Sequence, residues 1–125
     1  AYLGAVPRND ATFRRTEALC WSTRNPYFYK GKAAEGIGGP HAGLNMIWPM
    51  SLIIRALTSD SPAEIHRLLQ TLKATHAGTG FMHESFLKDD PTQFTRGWFA
   101  WANSLFGELI LHVASRYPSL LSRKA

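Results

Sequence analysis

The sequence predicts an all-α protein, and three observations carry that prediction. Apolar residues recur at helical spacing in four segments, most of them preceded by recognisable helix-start residues. No segment shows an apolar–polar alternation strong enough to predict a strand. The segments also alternate between amphipathic helices and helices that are apolar on nearly every side, and the latter are typical of buried helices.

The first two predicted helices flank a long loop. The first covers residues 11–21, with Asn9 or Asp10 as its N-cap, and its apolar periodicity is weak. A loop rich in Gly, Pro and aromatic residues follows, "STRNPYFYKGKAAEGIGGPHAGLN". The second helix starts near Trp48 in "WPMSLIIRALTS", where Pro49 takes a first-turn position that tolerates proline. Because its surface is apolar nearly all round, we expect this helix to be buried.

The third helix has the clearest signals. Ser61 is its N-cap, Pro62 occupies the first turn, and Glu64 completes a capping box. One apolar stripe follows, formed by Ile65, Leu68, Leu69 and Leu72. A second long loop covers residues 76–97 and leads into the fourth helix, "WFAWANSLFGELILHVASRY", which is again apolar on most of its surface.

The two long loops are predicted to meet at one end of the helices. Helices joined by short turns run antiparallel, so both loops emerge on the side opposite the short turn "TSDSP". A faint repeat supports a hairpin array, because "IWPMSL" and "AWANSL" each follow a Gly-rich loop that contains a His. Long loops gathered on a rigid scaffold commonly carry binding and catalytic residues.

Composition excludes several classes of function. No apolar run reaches the ~18 residues needed to cross a bilayer, and the opening "AYLGAVPRND" shows no signal-peptide pattern. The net charge is +5 and the pI is about 9.7, yet the basic residues are dispersed, so neither nucleic acid nor a membrane is an expected partner. The single cysteine, Cys20, is predicted to be a small core residue. Compartment and oligomeric state are left open.

The loop "THAGTGFMHESF" places one carboxylate, Glu84, among glycines and bulky apolar residues. That carboxylate either performs chemistry or satisfies loop N–H groups. Four aromatic side chains are candidates for stacking on a sugar ring, with core packing as the alternative. They are Trp48, Phe81, Trp98 and Trp101. Candidate partners for sugar hydroxyl groups, each with a structural alternative, are His41, His83, Arg96 and Asn103.

The two loops resemble glycoside hydrolase family 125. The motifs that carry the resemblance are "NPYFYKGKAAEGIGGPH", "IWP", "THAGTGFMHESF" and "FTRGWFAWANSLFGE", over about residues 25–108. The chain departs from the family pattern at Gly39, Ala42 and Gly97, where Ser, Thr and Pro are usual. The resemblance implies an (α/α)6 toroid, of which residues 1–125 form the C-terminal portion of a single catalytic domain with about two helical hairpins.

The resemblance also implies a function. Members of the family are exo-acting α-1,6-mannosidases that invert configuration and need no metal, with the Glu of "HES", here Glu84, as the general base. Inverting glycosidases use a second carboxyl group as the acid, which the family carries far upstream of this motif. The expected partner is therefore a mannose-containing oligosaccharide, such as an N-glycan, and the fragment alone is predicted to be inactive.

Other functions remain to be weighed against this one. A catalytic metal and other cofactors are not expected, since "HES" lacks the second His of H-E-x-x-H and the five His residues have poor ligand spacing. A truncated or degenerate chain that at most binds carbohydrate is the main alternative, and a helical adaptor without sugar binding is a third. An isolated pair of hairpins would expose apolar faces of the helices near Trp48 and Trp98.

Overall fold

A computed structural model describes residues 1–122, and this part of the chain is mostly helical. The helices are α1 (Ala11–Cys20), α2 (Pro49–Thr58), α3 (Pro62–Ala74), α4 (Ala100–Arg116) and α5 (Ser119–Ser122). The strands are β1 (Phe28–Lys30), β2 (Glu35–Ile37), β3 (Met46–Ile47), β4 (Ser85–Leu87) and β5 (Asp90–Thr95), and one 3-10 turn covers Pro40–Ala42.

The four predicted helices are confirmed. Asp10 caps α1 by accepting the Phe13 N–H, and Trp48 is the residue that precedes α2. Ser61 caps α3 by accepting the Glu64 N–H at 3.3 Å, which forms half of the predicted capping box. The other half is absent, because the N–H of Ser61 is bonded to Ser59 Oγ instead.

An all-α class is only partly right, because the loops contain two small antiparallel sheets. Strands β1 and β2 form a hairpin, and β3, β4 and β5 form a three-stranded sheet in that order. Four of these strands have two or three residues, which is too short for alternation to be visible in the sequence. Strands β1 and β2, and strands β4 and β5, pair as local hairpins, whereas β3 and β4 belong to distant segments, and neither segment encodes their pairing alone.

The pairing of β3 with β4 joins the two long loops. Met46 lies opposite Leu87, and Ile47 lies opposite Phe86, so each loop contributes one strand to the same sheet. Ile47 and Phe86 are both fully buried. This short ladder therefore brings the two loops together at one end of the helices, as predicted.

The core lies between α2, α3 and α4. Its fully buried side chains include Leu52 and Ile53 of α2, Leu68 of α3 and Leu109 of α4. Burying an aliphatic side chain of this kind contributes roughly 1.5–3 kcal/mol, so these contacts hold the helices that carry the loops. No helix within residues 1–122 is long and apolar enough to cross a membrane.

Helix α1 buries none of its residues and leaves an apolar groove against α2. The groove has a volume of about 570 Å³ and includes Phe13 and Cys20 of α1, Met50 and Ile54 of α2, and Leu105 of α4. The prediction of a core position for Cys20 is therefore wrong, since Cys20 is only half-buried and lines this groove.

Candidate active site

Glu84 lies at the edge of the three-stranded sheet, directly before β4. Its backbone N–H is shared between the carbonyl oxygens of Thr95 at 3.2 Å and Arg96 at 3.3 Å. These bonds continue the β4–β5 ladder by one residue, in which Ser85 pairs with Thr95. The position of the carboxylate is thus set by regular backbone pairing as well as by the loop.

The side chain of Glu84 is 15% exposed and faces a small pocket of about 130 Å³. The pocket is built by the first loop, the start of α2, the second loop and the start of α4, and its lining residues are His41, Trp48, Met50, Glu84, Phe99 and Trp101. Glu84 is the only carboxyl group among these residues. The walls are chiefly aromatic and apolar, with the one carboxylate set among them.

Two cationic or potentially cationic side chains flank the carboxylate. Arg96 Nε lies 3.3 Å from Oε2 of Glu84, and His41 Nε2 lies 3.7 Å from Oε1. The arginine is always charged, whereas the imidazole is charged only when protonated. Each carboxylate oxygen therefore faces a different partner, one from each long loop.

Trp48 forms the wall between the pocket and the apolar groove, since it lines both. A Cβ on Gly39 would lie 2.4 Å from the Trp48 ring, so any side chain at this position requires the indole to shift. The imidazole of His41 lies beside the indole, with ring centroids 5.4 Å apart. Ser51 Oγ donates to the carbonyl oxygen of Trp48 and accepts the Ile37 N–H, which ties the tryptophan to β2.

Five of the nine predicted site residues contribute to this environment. Glu84, His41, Trp48 and Trp101 line the pocket, and Arg96 reaches Glu84 from outside the lining. Trp101 is 71% exposed, so one side of the pocket is open among residues 1–122. The other four, which are Phe81, His83, Trp98 and Asn103, do not line it.

Those four residues have other positions. His83 is 1% exposed, stacks on Phe94 with centroids 4.0 Å apart, and its Nδ1 lies 2.7 Å from the Gly97 carbonyl oxygen. Phe81 and Trp98 are exposed at 49% and 61%. Asn103 accepts the Met82 N–H and donates to the carbonyl oxygens of Met82 and Phe99. It therefore holds the second loop against the start of α4.

Two pocket residues, Met50 and Phe99, were not among the predicted site residues. Phe99 lies in the aromatic cluster "GWFAW". The sequence pointed to this cluster but did not show which of its members faces the pocket. The N–H of Phe99 donates to the Met82 carbonyl oxygen at 3.2 Å, and that bond anchors the Phe99 backbone against the second loop. Within residues 1–122, no group of three or more His, Cys, Asp or Glu side chains is arranged to hold a metal ion.

Similarity to known proteins places the chain in a family. The family model described as "Metal-independent alpha-mannosidase (GH125)" matches residues 1–111. The chain therefore belongs to glycoside hydrolase family 125, a family of metal-independent α-mannosidases.

Two relatives illustrate the similarity. The chain is 53% identical over 125 residues to the Meiotically up-regulated gene 157 protein of Schizosaccharomyces pombe, covering 99% of this chain and 25% of that protein. It is 44% identical, with a TM-score of 0.89, to a solved metal-independent α-mannosidase of Streptococcus pneumoniae in a non-productive substrate complex with α-1,6-mannobiose. That match covers 92% of this chain and 27% of the solved chain, so this chain spans about a quarter of the length of both relatives.

Proposed function

We propose that this chain is the C-terminal portion of an exo-acting α-mannosidase, and that Glu84 is its general base. The substrate would be a terminal mannose of an α-1,6-linked mannoside or an N-glycan-type oligosaccharide. The observation that carries the proposal is the mostly buried Glu84 carboxylate in an aromatic pocket where both long loops meet. The Streptococcus pneumoniae relative with α-1,6-mannobiose supports the substrate class.

The proposed reaction is hydrolysis with inversion at the anomeric carbon. Glu84 accepts a proton from a water molecule as the water oxygen attacks that carbon, on the face opposite the leaving sugar. A second carboxyl group gives a proton to the glycosidic oxygen as the carbon–oxygen bond breaks, so free mannose and a shortened oligosaccharide leave. The two carboxyl groups of such enzymes are ~6.5–9.5 Å apart, which leaves room for the water.

The pocket walls suit a single sugar ring. Trp48, Phe99 and Trp101 offer aromatic surface for the C–H faces of mannose, and His41 is placed to bond a hydroxyl group. Because Glu84 is the only carboxyl group in the lining, we infer that the acid is carried by another part of the protein. This is also the reason to expect no turnover from residues 1–125 alone.

The apolar groove fits the same proposal. In an (α/α)6 toroid each helical hairpin packs against the next, and a groove of about 570 Å³ lined by Phe13, Ile54 and Leu105 offers such a contact. A non-catalytic chain that at most binds carbohydrate is the alternative. It gains support only if the acid is missing from the complete protein.

The experiment compares the complete protein, its Glu84→Gln variant and the chain 1–125 on α-1,6-mannobiose, with released mannose as the readout. We expect turnover by the wild type, a loss of about 10³-fold in kcat for Glu84→Gln, and none for the chain alone. Mannobiose binding by the Gln variant, measured by calorimetry, should stay close to that of the wild type. Near-wild-type turnover by Glu84→Gln would remove Glu84 as the base, and an inactive wild type would favour the non-catalytic alternative.

A further inference from the structure

We propose that Arg96 is a positioning residue for Glu84, which holds that carboxylate in place and aims it into the pocket. The proposal rests on the proposed function, because it assigns Arg96 a role in the activity of the base. It also differs from the expectation that Arg96 binds a sugar hydroxyl group. Three observations carry it: the backbone conformation of Arg96, the pairing of its guanidinium, and its place outside the pocket.

The backbone of Arg96 is in the left-handed region, with a φ of 44°. Such a conformation is unfavourable for a side chain with a Cβ, by an amount on the order of 1 kcal/mol. Glycine would avoid this cost, and a glycine is present at the next position, yet the turn is made at Arg96. The turn directs the Arg96 carbonyl oxygen at the Glu84 N–H, while the guanidinium of the same residue pairs with the Glu84 carboxylate. One strained residue thus holds both ends of Glu84.

The guanidinium supplies the permanent positive charge at the carboxylate. The charged and titratable groups that face Glu84 within residues 1–122 are Arg96, 3.3 Å from Oε2, and His41, 3.7 Å from Oε1. The remaining lining residues, Trp48, Met50, Phe99 and Trp101, carry no charge. An ionised carboxylate with little solvent and apolar neighbours needs a compensating cation, and a neutral imidazole does not provide one.

The location of Arg96 separates this role from substrate binding. Its side chain is 69% exposed, and Arg96 is not among the residues that line the pocket, whereas Glu84 and His41 are. A sugar in the pocket would therefore meet Glu84 first, and Arg96 would act on the reaction through Glu84.

The test uses Arg96→Asn in the complete protein. Asparagine accepts the left-handed backbone conformation more readily than most residues, so this change removes the cation and keeps the turn. Without the guanidinium the Glu84 carboxylate is no longer held at one place, so the chemical step should suffer more than substrate binding. At the pH optimum, kcat on α-1,6-mannobiose should fall about 10-fold while KM stays within about threefold.

Two further variants complete the test. Arg96→Lys retains the charge without the planar guanidinium, and it should restore kcat to within about threefold of the wild type. Arg24→Asn removes an exposed loop arginine that forms no ion pair within residues 1–122, so neither kcat nor KM should change. If Arg96→Asn does not fold, as judged by circular dichroism, Arg96→Gly keeps the turn and replaces it.

The outcomes are separable. A raised KM with an unchanged kcat would mean that Arg96 binds the sugar, and the proposal would be wrong. A lower kcat that Arg96→Lys does not restore would mean a purely structural role, which also overturns it. An inactive wild type would instead overturn the proposed function, and this inference with it.

Discussion

Glu64 and Glu84 are both mostly covered glutamates beside arginines, yet their surroundings differ in kind. At Glu64, Arg55 Nε donates to Oε1 at 2.6 Å and Ser59 Oγ donates to Oε2 at 2.7 Å. At Glu84, the nearest cationic nitrogen is 3.3 Å from the carboxylate. Within residues 1–122, no protein donor forms a hydrogen bond with the Glu84 carboxylate. Each carboxylate oxygen of Glu64 accepts a short hydrogen bond, whereas the Glu84 carboxylate is paired through charge without a hydrogen bond from the described residues.

This difference separates a structural carboxylate from a reactive one. The Glu64 oxygens accept hydrogen bonds from donors that fix α2 to α3, so these oxygens are already bonded within the fold. The Glu84 oxygens keep lone pairs for a water molecule, while Arg96 compensates the charge. Exposure does not distinguish the two, at 26% for the Glu64 side chain and 15% for Glu84. The distinction lies in whether the oxygens are already bonded.

The largest expected effect comes from neutralising each glutamate in the complete protein. Glu84→Gln should lower kcat by about 10³-fold and leave the thermal midpoint within about 1 °C, because no hydrogen bond is lost. Glu64→Gln should do the reverse. Its kcat should stay within about twofold of the wild type, and its free energy of unfolding should fall by about 1–2 kcal/mol, because Arg55 loses its charged partner. Mannose release measures kcat of both variants, and thermal unfolding measures their stability. If Glu64→Gln lowers kcat as much as Glu84→Gln does, the comparison between the two sites is wrong.

A smaller effect is expected from Gly39→Ala, which changes the pocket without touching Glu84. The added Cβ would lie 2.4 Å from the Trp48 ring, so the indole must move, and we expect kcat/KM to fall about 10-fold. The matched control is Gly107→Ala, where nothing lies within 4 Å of the added methyl group, and kcat/KM should not change. Steady-state kinetics measures kcat/KM, and tryptophan fluorescence reports the movement of the indole. An unchanged kcat/KM for Gly39→Ala would show that the Trp48 wall does not matter to turnover.

The smallest effect concerns the pH dependence of stability at Glu64. Partial burial works to raise the pKa of Glu64, but the hydrogen bonds from Ser59 and Arg55, with the charges of Arg55 and Arg67, outweigh it and lower the pKa. A carboxyl group with a lowered pKa in the folded state stabilises the fold above its unfolded pKa, and this contribution is lost as pH falls through the folded value. Ser59→Ala removes one of those bonds, so stability should fall by about 0.5–1 kcal/mol at pH 7 and by less at pH 3.

Denaturant unfolding at pH 7, 5 and 3 checks this prediction, with the wild type as the reference. Equal destabilisation by Ser59→Ala at all three pH values would mean that Ser59 does not act through the Glu64 charge. The kcat of Ser59→Ala should match that of the wild type, since Ser59 bonds to Glu64 and not to the pocket.

Local patterns were enough for the helices and for the choice of Glu84. Capping residues and apolar periodicity act within one turn or one helix, so Asp10, Ser61 and the stripe that includes Leu68 gave the positions of α1 and α3. A lone carboxylate in a glycine-rich aromatic loop marked Glu84 as a candidate, and the resemblance to the family implied its role as the base. The pairing of β3 with β4 was missed because Ile47 and Phe86 are far apart in the chain. The local hairpins β1–β2 and β4–β5 were missed because their strands are short or largely polar.

The sequence by itself determined the four main helices, the two long loops, the family and Glu84 as the candidate base, because those signals are carried by contiguous residues. Only the tertiary structure decided which neighbours Glu84 has. It buried His83 under Phe94, used Asn103 to hold the second loop, and turned the backbone at Arg96 toward the carboxylate. The physical reason is that side-chain direction depends on how the loops pair and pack. The contacts that set it join residues that are not neighbours in sequence.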